Sequence, residues 1–109
     1  MIAVIFEVVL KPARAPRYFD LAAALRPELE RVDGFISVER FESMTTENKY
    51  VSLSFWRDRA AVEAWYRHGG HRAAQEEGRD SVFEDYRIRV AEVFRDYDLA
   101  AARPAVAPP

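Results

Sequence analysis

Residues 2–11 read IAVIFEVVLK, and both sides of this short stretch are largely apolar. Its valines and isoleucines, bounded by Pro12, predict a β-strand in which successive side chains point to opposite sides. One side carries Ile2, Val4, Phe6, Val8 and Leu10, and the other carries Ala3, Ile5, Glu7 and Val9. Such a strand needs an apolar cover on each face of its sheet, and this requirement decides the fold.

A helix and a hairpin are predicted next along the chain. Leucines recur at helical spacing over residues 16–32, where Pro27 predicts a kink or a break. Residues 35–42 favour a strand, and residues 49–56 favour another because Val51, Leu53 and Phe55 alternate with their neighbours. The polar segment 43–48 lies between them and predicts the turn of a β-hairpin.

The second half of the chain predicts two short helices and a strand. Asp58 can cap a helix that continues to Tyr66. Its inward face is expected to carry Ala61, Val62 and Trp65. The glycine pair at 69–70 interrupts this helix, a further helix follows at 71–78, and residues 82–97 favour a long strand. One face of that strand is expected to carry Tyr86, Ile88 and Val90.

The order of these elements, β-α-β-β-α-β, is the ferredoxin-like arrangement of an α+β domain. Its helices cover one face of a four-stranded antiparallel sheet, so the other apolar face stays uncovered within one chain. We expect that face to pack on the same face of a second copy, which closes a dimeric α+β barrel. The alternative is a monomer whose sheet face is solvated through Glu7, Glu39 and Arg87.

Composition limits the class of protein. The chain has 109 residues, a formal net charge of −2 and no cysteine. One domain is expected over residues 1–98, followed by a disordered low-complexity tail at 99–109. Without a basic block, nucleic acid is not an expected partner, and the longest uncharged apolar run is far below the roughly 20 residues of a membrane span. We therefore expect a soluble cytoplasmic protein without disulfides.

The two histidines, His68 and His71, flank the glycine pair and are candidates for chemistry. A metal site needs three or four ligands and this pair supplies two, so we expect no metal, and His68 can be a solvated helix end. One face of the predicted helix, at helical spacing, consists of His71, Ala74, Gln75 and Gly78. We expect three aromatic residues to complete a pocket for a flat aromatic ligand: Trp56, Trp65 and Tyr86. Ordinary core packing of these aromatic side chains is the alternative.

A strand–Trp–turn–helix–Trp pattern runs through YVSLSFWRD at 50–58 and AVEAW at 61–65. It is followed by HRAAQ at 71–75, Gly-Arg at 78–79 and YRIRV at 86–90. With these residues the chain resembles the antibiotic biosynthesis monooxygenase family of dimeric α+β barrels over nearly its whole folded part. The family includes quinone-forming oxygenases, haem-degrading enzymes and members without known activity, so the resemblance implies a fold more specifically than a reaction.

The resemblance to the oxygenase members implies a cofactor-independent monooxygenase that acts on a small phenolic or quinol-type aromatic compound. Such a protein removes a phenolic proton so that the anion can react with oxygen. His71 is then the expected catalytic base, with Gln75 as a positioning amide and the aromatic residues as walls or donors. No nucleotide-binding glycine motif is present, and we expect no cofactor. A second interpretation is a binding or stress-associated protein that holds a small hydrophobic molecule without turnover.

The haem-degrading members of the family provide a third interpretation. Their axial histidine lies ten residues after the second tryptophan of the pattern, a position that Gln75 occupies here. Their asparagine on the first strand corresponds to Phe6 or Glu7, so that only Trp65 matches among the three active residues. His71 would have to replace the iron ligand from one helical turn earlier.

Glu7 is the one acidic residue in the first strand. If it is buried, its pKa should rise unless an arginine or a tyrosine pairs with it. Two roles follow: an ion pair with an arginine of the last strand, or a second acid–base group that borders the aromatic ligand.

Overall fold

A four-stranded antiparallel sheet forms the centre of the computed structural model, which describes residues 1–102. The strands are β1 (Ile2–Leu10), β2 (Phe35–Glu42), β3 (Lys49–Trp56) and β4 (Phe83–Glu92). Their order in the sheet is β2-β3-β1-β4, so the most apolar strand, β1, lies between two neighbours. This arrangement confirms the predicted ferredoxin-like α+β fold.

Four helices accompany the sheet: α1 (Ala15–Glu30), α2 (Arg59–Tyr66), α3 (Gly69–Glu77) and α4 (Leu99–Ala102). The prediction of a break at Pro27 is wrong, because α1 continues through this residue as one helix. Pro27 removes the backbone N–H that would bond the carbonyl of Ala23, but both residues are exposed, so water can satisfy that carbonyl. Within residues 1–102, no helix combines the length and the apolar character needed to cross a membrane.

The register of the sheet settles which side of β1 faces the helices. Its even-numbered side chains point to the helices, and Ile2, Val8 and Leu10 are buried there. The buried residues form two clusters. The tryptophan cluster consists of Ile2, Leu29, Trp56, Ala61, Val62 and Trp65. The Tyr18 cluster consists of Val8, Leu10, Tyr18 and Val82. On the odd-numbered side, Ile5 and Val9 belong to neither cluster and stay half-buried.

The helix α2 follows its sequence prediction closely. The Asp58 carboxylate accepts a hydrogen bond from the backbone N–H of Ala61 at 3.0 Å, which caps the first turn. The three residues predicted to face inward, Ala61, Val62 and Trp65, are all buried.

The last strand is shorter than predicted, since β4 covers Phe83–Glu92 rather than 82–97. A π-helical turn, Gly78–Val82, delays its start. Its pairing with β1 runs out at Glu92, which lies opposite Ile2, and the N–H of Val93 then bonds the carbonyl of Met1. Because β1 offers no further partner, the strand ends there.

The predicted tail at 99–109 begins with the single turn of α4, in which Asp98 accepts a bond from the N–H of Ala101 at 2.9 Å. Residues 103–109 lie outside the described part of the chain, and the disorder expected for them stays a prediction.

Candidate functional site

A cavity of about 140 Å³ lies between the tryptophan cluster and the Tyr18 cluster. The sheet contributes one wall and the helices α1, α2 and α3 contribute the other. An engineered apolar cavity of about 150 Å³ binds benzene, so this volume matches one six-membered ring. The lining is mostly apolar, with Trp56 and Trp65 on the side of the tryptophan cluster and Phe6 and Phe83 on the side of the Tyr18 cluster.

The helix α3 presents the predicted face to this cavity. His71, Ala74 and Gln75 all line it. The fourth member of that face, Gly78, is buried against Phe83 instead: a Cβ atom at Gly78 would lie 2.4 Å from the Phe83 ring. The glycine is therefore needed for close packing, and the three preceding residues form the accessible wall.

His71 is a desolvated imidazole at the cavity wall. Its ring centroid lies 4.8 Å from that of Trp65 and 5.8 Å from that of Tyr66. Its Nδ1 atom is buried and has no hydrogen-bond partner among the described residues. Burial lowers the pKa of His71 to about 4, with a smaller contribution from the nearby His68. The imidazole is thus neutral near pH 7 and has a lone pair available for a proton.

His68 has a structural role that differs from the solvated helix end we expected. Its Nδ1 atom accepts bonds from the backbone N–H groups of Gly70 at 3.1 Å and of His71 at 3.4 Å, which makes it the N-cap of α3. Its ring also stacks on Trp65 at a centroid distance of 5.1 Å. The two histidines therefore have separate tasks: His68 starts the helix and His71 faces the cavity.

Among the polar groups at the cavity that were not singled out in the sequence are Arg40 and Tyr66. The Tyr66 hydroxyl is buried without a hydrogen-bond partner in the described chain, and burial raises its pKa, as does the nearby Glu63. Arg40 extends from β2, and its Nε atom donates to the Tyr18 hydroxyl at 3.4 Å.

The inward direction of Arg40 follows from an irregularity that alternation cannot predict. A bulge between Phe35 and Ser37 shifts the register of β2 against β3 by one residue. Alternation counted from the inward Phe35 would point Arg40 to the bare face. Beyond the bulge, Val38 and Arg40 lie on the helix side and line the cavity. The sequence offered one signal for this direction: Val38 and Arg40 are two residues apart, so they lie on the same face of the strand.

Tyr86 does not line the cavity, contrary to our expectation. It lies on the helix side of β4 opposite Val8, at the edge of the sheet, and is 40% exposed. Its ring packs 5.9 Å from Phe6 and 5.8 Å from Phe83, so it covers the rim of the Tyr18 cluster. The cavity-wall position on β4 is taken by Ile88.

Glu7 also lies outside the cavity, because its side chain is on the opposite face of the sheet. Its carboxylate accepts a bond from Arg89 of β4 at 2.6 Å and lies 3.5 Å from the Lys49 ammonium. The pKa of Glu7 is lowered, mainly by the hydrogen bond from Arg89 and next by the charge of Lys49. Of the two roles considered for Glu7, the structure shows the ion pair with an arginine of the last strand.

The model of the antibiotic biosynthesis monooxygenase family matches residues 1–77, a segment that contains Arg40, both tryptophans, His71 and Gln75. The chain belongs to this family. It is 45% identical over 93 residues to a protein of Pyricularia oryzae named Jasmonate monooxygenase ABM, a match that covers 85% of this chain and 43% of the relative. It is 36% identical over 62 residues to the uncharacterized protein YqjZ of Bacillus subtilis, which covers 57% and 53% of the two chains. The chain thus spans about half the length of the curated relatives it matches.

Solved structures of low sequence identity share the fold. A structure described as a putative antibiotic biosynthesis monooxygenase from Deinococcus radiodurans matches with a TM-score of 0.80 at 14% identity, covering 91% of this chain and 98% of the other. Rv0793 from Mycobacterium tuberculosis matches with a TM-score of 0.78 at 16% identity, covering 89% and 98%. These likenesses show the family fold alone, so the role of each cavity residue depends on its own geometry.

Proposed function

We propose that this chain is a cofactor-independent monooxygenase that acts on a small phenolic or quinol-type aromatic compound, with His71 as the base. One observation carries the proposal: the half-buried, neutral imidazole of His71, whose Nδ1 atom is buried without a partner in the described chain, borders an apolar cavity the size of one aromatic ring. Family membership and the similarity to a protein named a jasmonate monooxygenase support oxygenation of a small organic molecule.

The other cavity residues suit this substrate class. The indole N–H of Trp56 already donates to Ser54 at 2.9 Å, so Trp56 presents its ring as an apolar wall rather than as a donor. Trp65 forms a second aromatic wall beside His71. The amide of Gln75, which follows one helical turn later on the same wall, can hold a second substrate oxygen. In the proposed site these side chains orient the ring and exclude water.

The proposed reaction begins with a proton transfer. The phenolic O–H gives its proton to the His71 imidazole, and the resulting phenolate lies beside the imidazolium. The nearby anion raises the pKa of the imidazolium, so a group with a pKa of about 4 in the empty cavity becomes a stronger base as the pair forms. Low polarity around the pair strengthens this attraction.

The substrate itself supplies the electrons for the oxygen step. An ortho or para ring carbon that bears hydrogen forms a bond to dioxygen, and the resulting peroxide anion takes the proton back from the His71 imidazolium to give a hydroperoxide. Loss of that ring proton and cleavage of the O–O bond leave one oxygen on the ring as a quinone carbonyl and release the other as water. Phenol plus dioxygen thus gives quinone plus water, without an external reductant.

The residue at the position of the iron ligand distinguishes this proposal from haem chemistry. Haem-degrading members of the family place their axial histidine where this chain has Gln75, which cannot serve as an ordinary axial ligand. We therefore derive no step through haem. A Soret band that saturates when hemin is added to the protein would overturn this conclusion.

The test is oxygen uptake by the purified protein with a panel of phenols and hydroquinones, together with the absorbance of the quinone product. We expect His71→Gln to lower the rate by about 10²- to 10⁴-fold, the usual contribution of a general base. His68→Asn is the matched control, because an asparagine side chain can still cap α3, and it should keep most of the activity.

Two results would contradict the proposal. An unchanged rate in His71→Gln would reject the base assignment. Tight retention of a phenolic ligand without oxygen uptake would favour the non-catalytic binding protein.

We also propose that the chain acts as a homodimer in the cytoplasm, through the bare face of the sheet. That face carries half-buried Ile5, Val9, Val51, Leu53 and Phe55. Light scattering should give the mass of two chains, and Leu53→Lys should give that of one, whereas Met44→Lys, in the fully exposed hairpin turn, should leave the dimer intact. A monomeric wild-type protein would contradict the proposal. For the cytoplasmic location, the supporting observation is that the sequence has no cysteine, which agrees with a reducing compartment.

A further inference from the structure

Arg40 is the one charged side chain among the described residues that line the cavity. It is half-buried and lies opposite Ser52 in the pairing of β2 with β3. The described lining contains no aspartate or glutamate, and His71 is neutral. The positive charge of Arg40 is thus not compensated by an acidic residue of the described lining, and it favours an anionic ligand in the cavity.

Among the described residues, the guanidinium of Arg40 has a single hydrogen-bond partner. Its Nε atom makes a long bond of 3.4 Å to the Tyr18 hydroxyl, and its Cζ atom lies 5.9 Å from the Tyr18 ring centroid. Its terminal nitrogens, Nη1 and Nη2, make no hydrogen bond to residues 1–102. By contrast, Arg57 binds both carboxylate oxygens of Asp33 at 3.0 and 3.1 Å. A carboxylate in the cavity could take the same paired geometry on Arg40.

Arg40 and His71 approach the cavity from different sides. The Arg40 guanidinium lies over the ring of Tyr18 in one cluster, whereas His71 packs on Trp65 of the other. Because the cavity separates these clusters and holds about one ring, a single aromatic ring can carry one substituent toward each of them.

We infer that Arg40 is a specificity-determining residue that binds a carboxylate, and that the substrate class is a one-ring hydroxylated aromatic acid. That the substrate carries a hydroxyl group rests on the proposed function, in which His71 takes the phenolic proton. That it carries a carboxylate rests on the geometry of Arg40 and not on the proposed function. The Ser52 hydroxyl, which also lines the cavity beside Arg40, can donate a further bond to the same carboxylate.

The experiment compares the binding of para-hydroxybenzoate and its neutral methyl ester by calorimetry at pH 7. The wild-type protein should bind the acid about 10-fold or more tightly than the ester, the ratio expected for hydrogen bonds to a charged group. Arg40→Met should abolish this preference and still bind the ester, which also shows that the variant is folded. Arg40→Lys should keep part of the preference, since it retains the charge without the planar fork.

Arg72→Met is the matched control, because it removes an exposed arginine of α3 outside the cavity lining and should leave the preference unchanged. Equal binding of acid and ester by the wild-type protein would overturn the inference, as would a preference that survives in Arg40→Met or a failure to bind either ligand. The first two results would leave His71-dependent oxygen uptake with neutral phenols unaffected, whereas failure to bind even the ester, itself a neutral phenol, would count against the proposed function as well. Conversely, an Arg40-dependent preference in a protein without oxygen uptake would support the inference and contradict the proposed function.

Discussion

The helices α2 and α3 follow each other on the same side of the sheet and have eight and nine residues, yet they differ in what they bury. In α2, Ala61, Val62 and Trp65 are buried in the tryptophan cluster. In α3 no residue is fully buried, and its inward face lines the cavity. One helix thus stabilises the fold, and its neighbour carries the candidate chemistry.

The contacts that hold α3 lie at its two ends. At the first end, His68 caps the helix, and Gly70 lies so close to Leu25 and Glu28 of α1 that an added Cβ atom would be 3.1 Å from each. At the other end, Arg17 of α1 bonds both carboxylate oxygens of Glu77 at 2.5 and 2.7 Å. Substitutions on the cavity face of a helix held in this way should therefore have little effect on the core. Substitutions on the buried face of α2 should have a large effect, and this difference can be tested.

The largest effect should come from removing the buried anchor of α2. Trp65→Ala should lower the free energy of unfolding by about 3–5 kcal/mol, because it leaves a large hole in the tryptophan cluster. The matched change on α3, Gln75→Ala, should cost well under about 1 kcal/mol, since Gln75 is only half-buried. Urea unfolding of both variants measures the difference, and equal losses would contradict the division between the helices.

The next effect is a dependence of stability on pH that originates from α3. The pKa of His71 is about 4 in the folded chain and 6.5 in the unfolded chain, so the unfolded state binds the proton first as the pH falls. The contribution of the neutral His71 imidazole to the free energy of unfolding is therefore fully present above pH 6.5. It decreases as the pH falls toward 4, by up to about 3 kcal/mol at 1.36 kcal/mol per pKa unit.

Calorimetric unfolding of the wild-type protein and His71→Gln between pH 7 and pH 4.5 measures this dependence. The variant should lose most of the slope, and His68→Asn should keep the His71 contribution. Identical slopes in the wild-type protein and His71→Gln would show that the imidazole of His71 is solvated.

The smallest effects should come from the two helix caps. Asp58→Ala removes the cap of α2 and should cost about 1 kcal/mol of global stability, within the usual range of 0.5–2. His68→Ala should instead speed amide hydrogen exchange in residues 69–77 with little change in global unfolding, because α3 contributes no residue to the buried clusters. Equal global losses would mean that the two helices unfold as one unit.

The fold could be predicted because its signals are local and dense. The apolar run of β1 and the Asp58 cap with its three inward residues lie within short windows of sequence. Boundaries that depend on distant partners could not be predicted. The strand β4 ends where β1 has no further residue to pair with, and α1 tolerates Pro27 because the affected carbonyl is exposed.

The candidate site was predictable on α3, where helical spacing alone brings His71, Ala74 and Gln75 together, and at the two predicted tryptophans that line the cavity, Trp56 and Trp65. Arg40 was missed because a bulge in β2 reverses the side to which it points. Tyr86 was misplaced because the sheet edge leaves it beside Phe6 and Phe83 rather than over the cavity. Side-chain direction on β2 depends on the bulge, and the position of a β4 residue relative to the cavity depends on strand order and register, which sequence periodicity does not specify.

The most direct test of the central claim, that α3 forms the wall of a single-ring substrate site, is a nuclear Overhauser measurement under anaerobic conditions with bound hydroquinone. We predict contacts from the ligand ring protons to the ring protons of His71 and Trp65, and none to Tyr86. Contacts to Tyr86 or to the bare face of the sheet, with none to His71, would contradict the account.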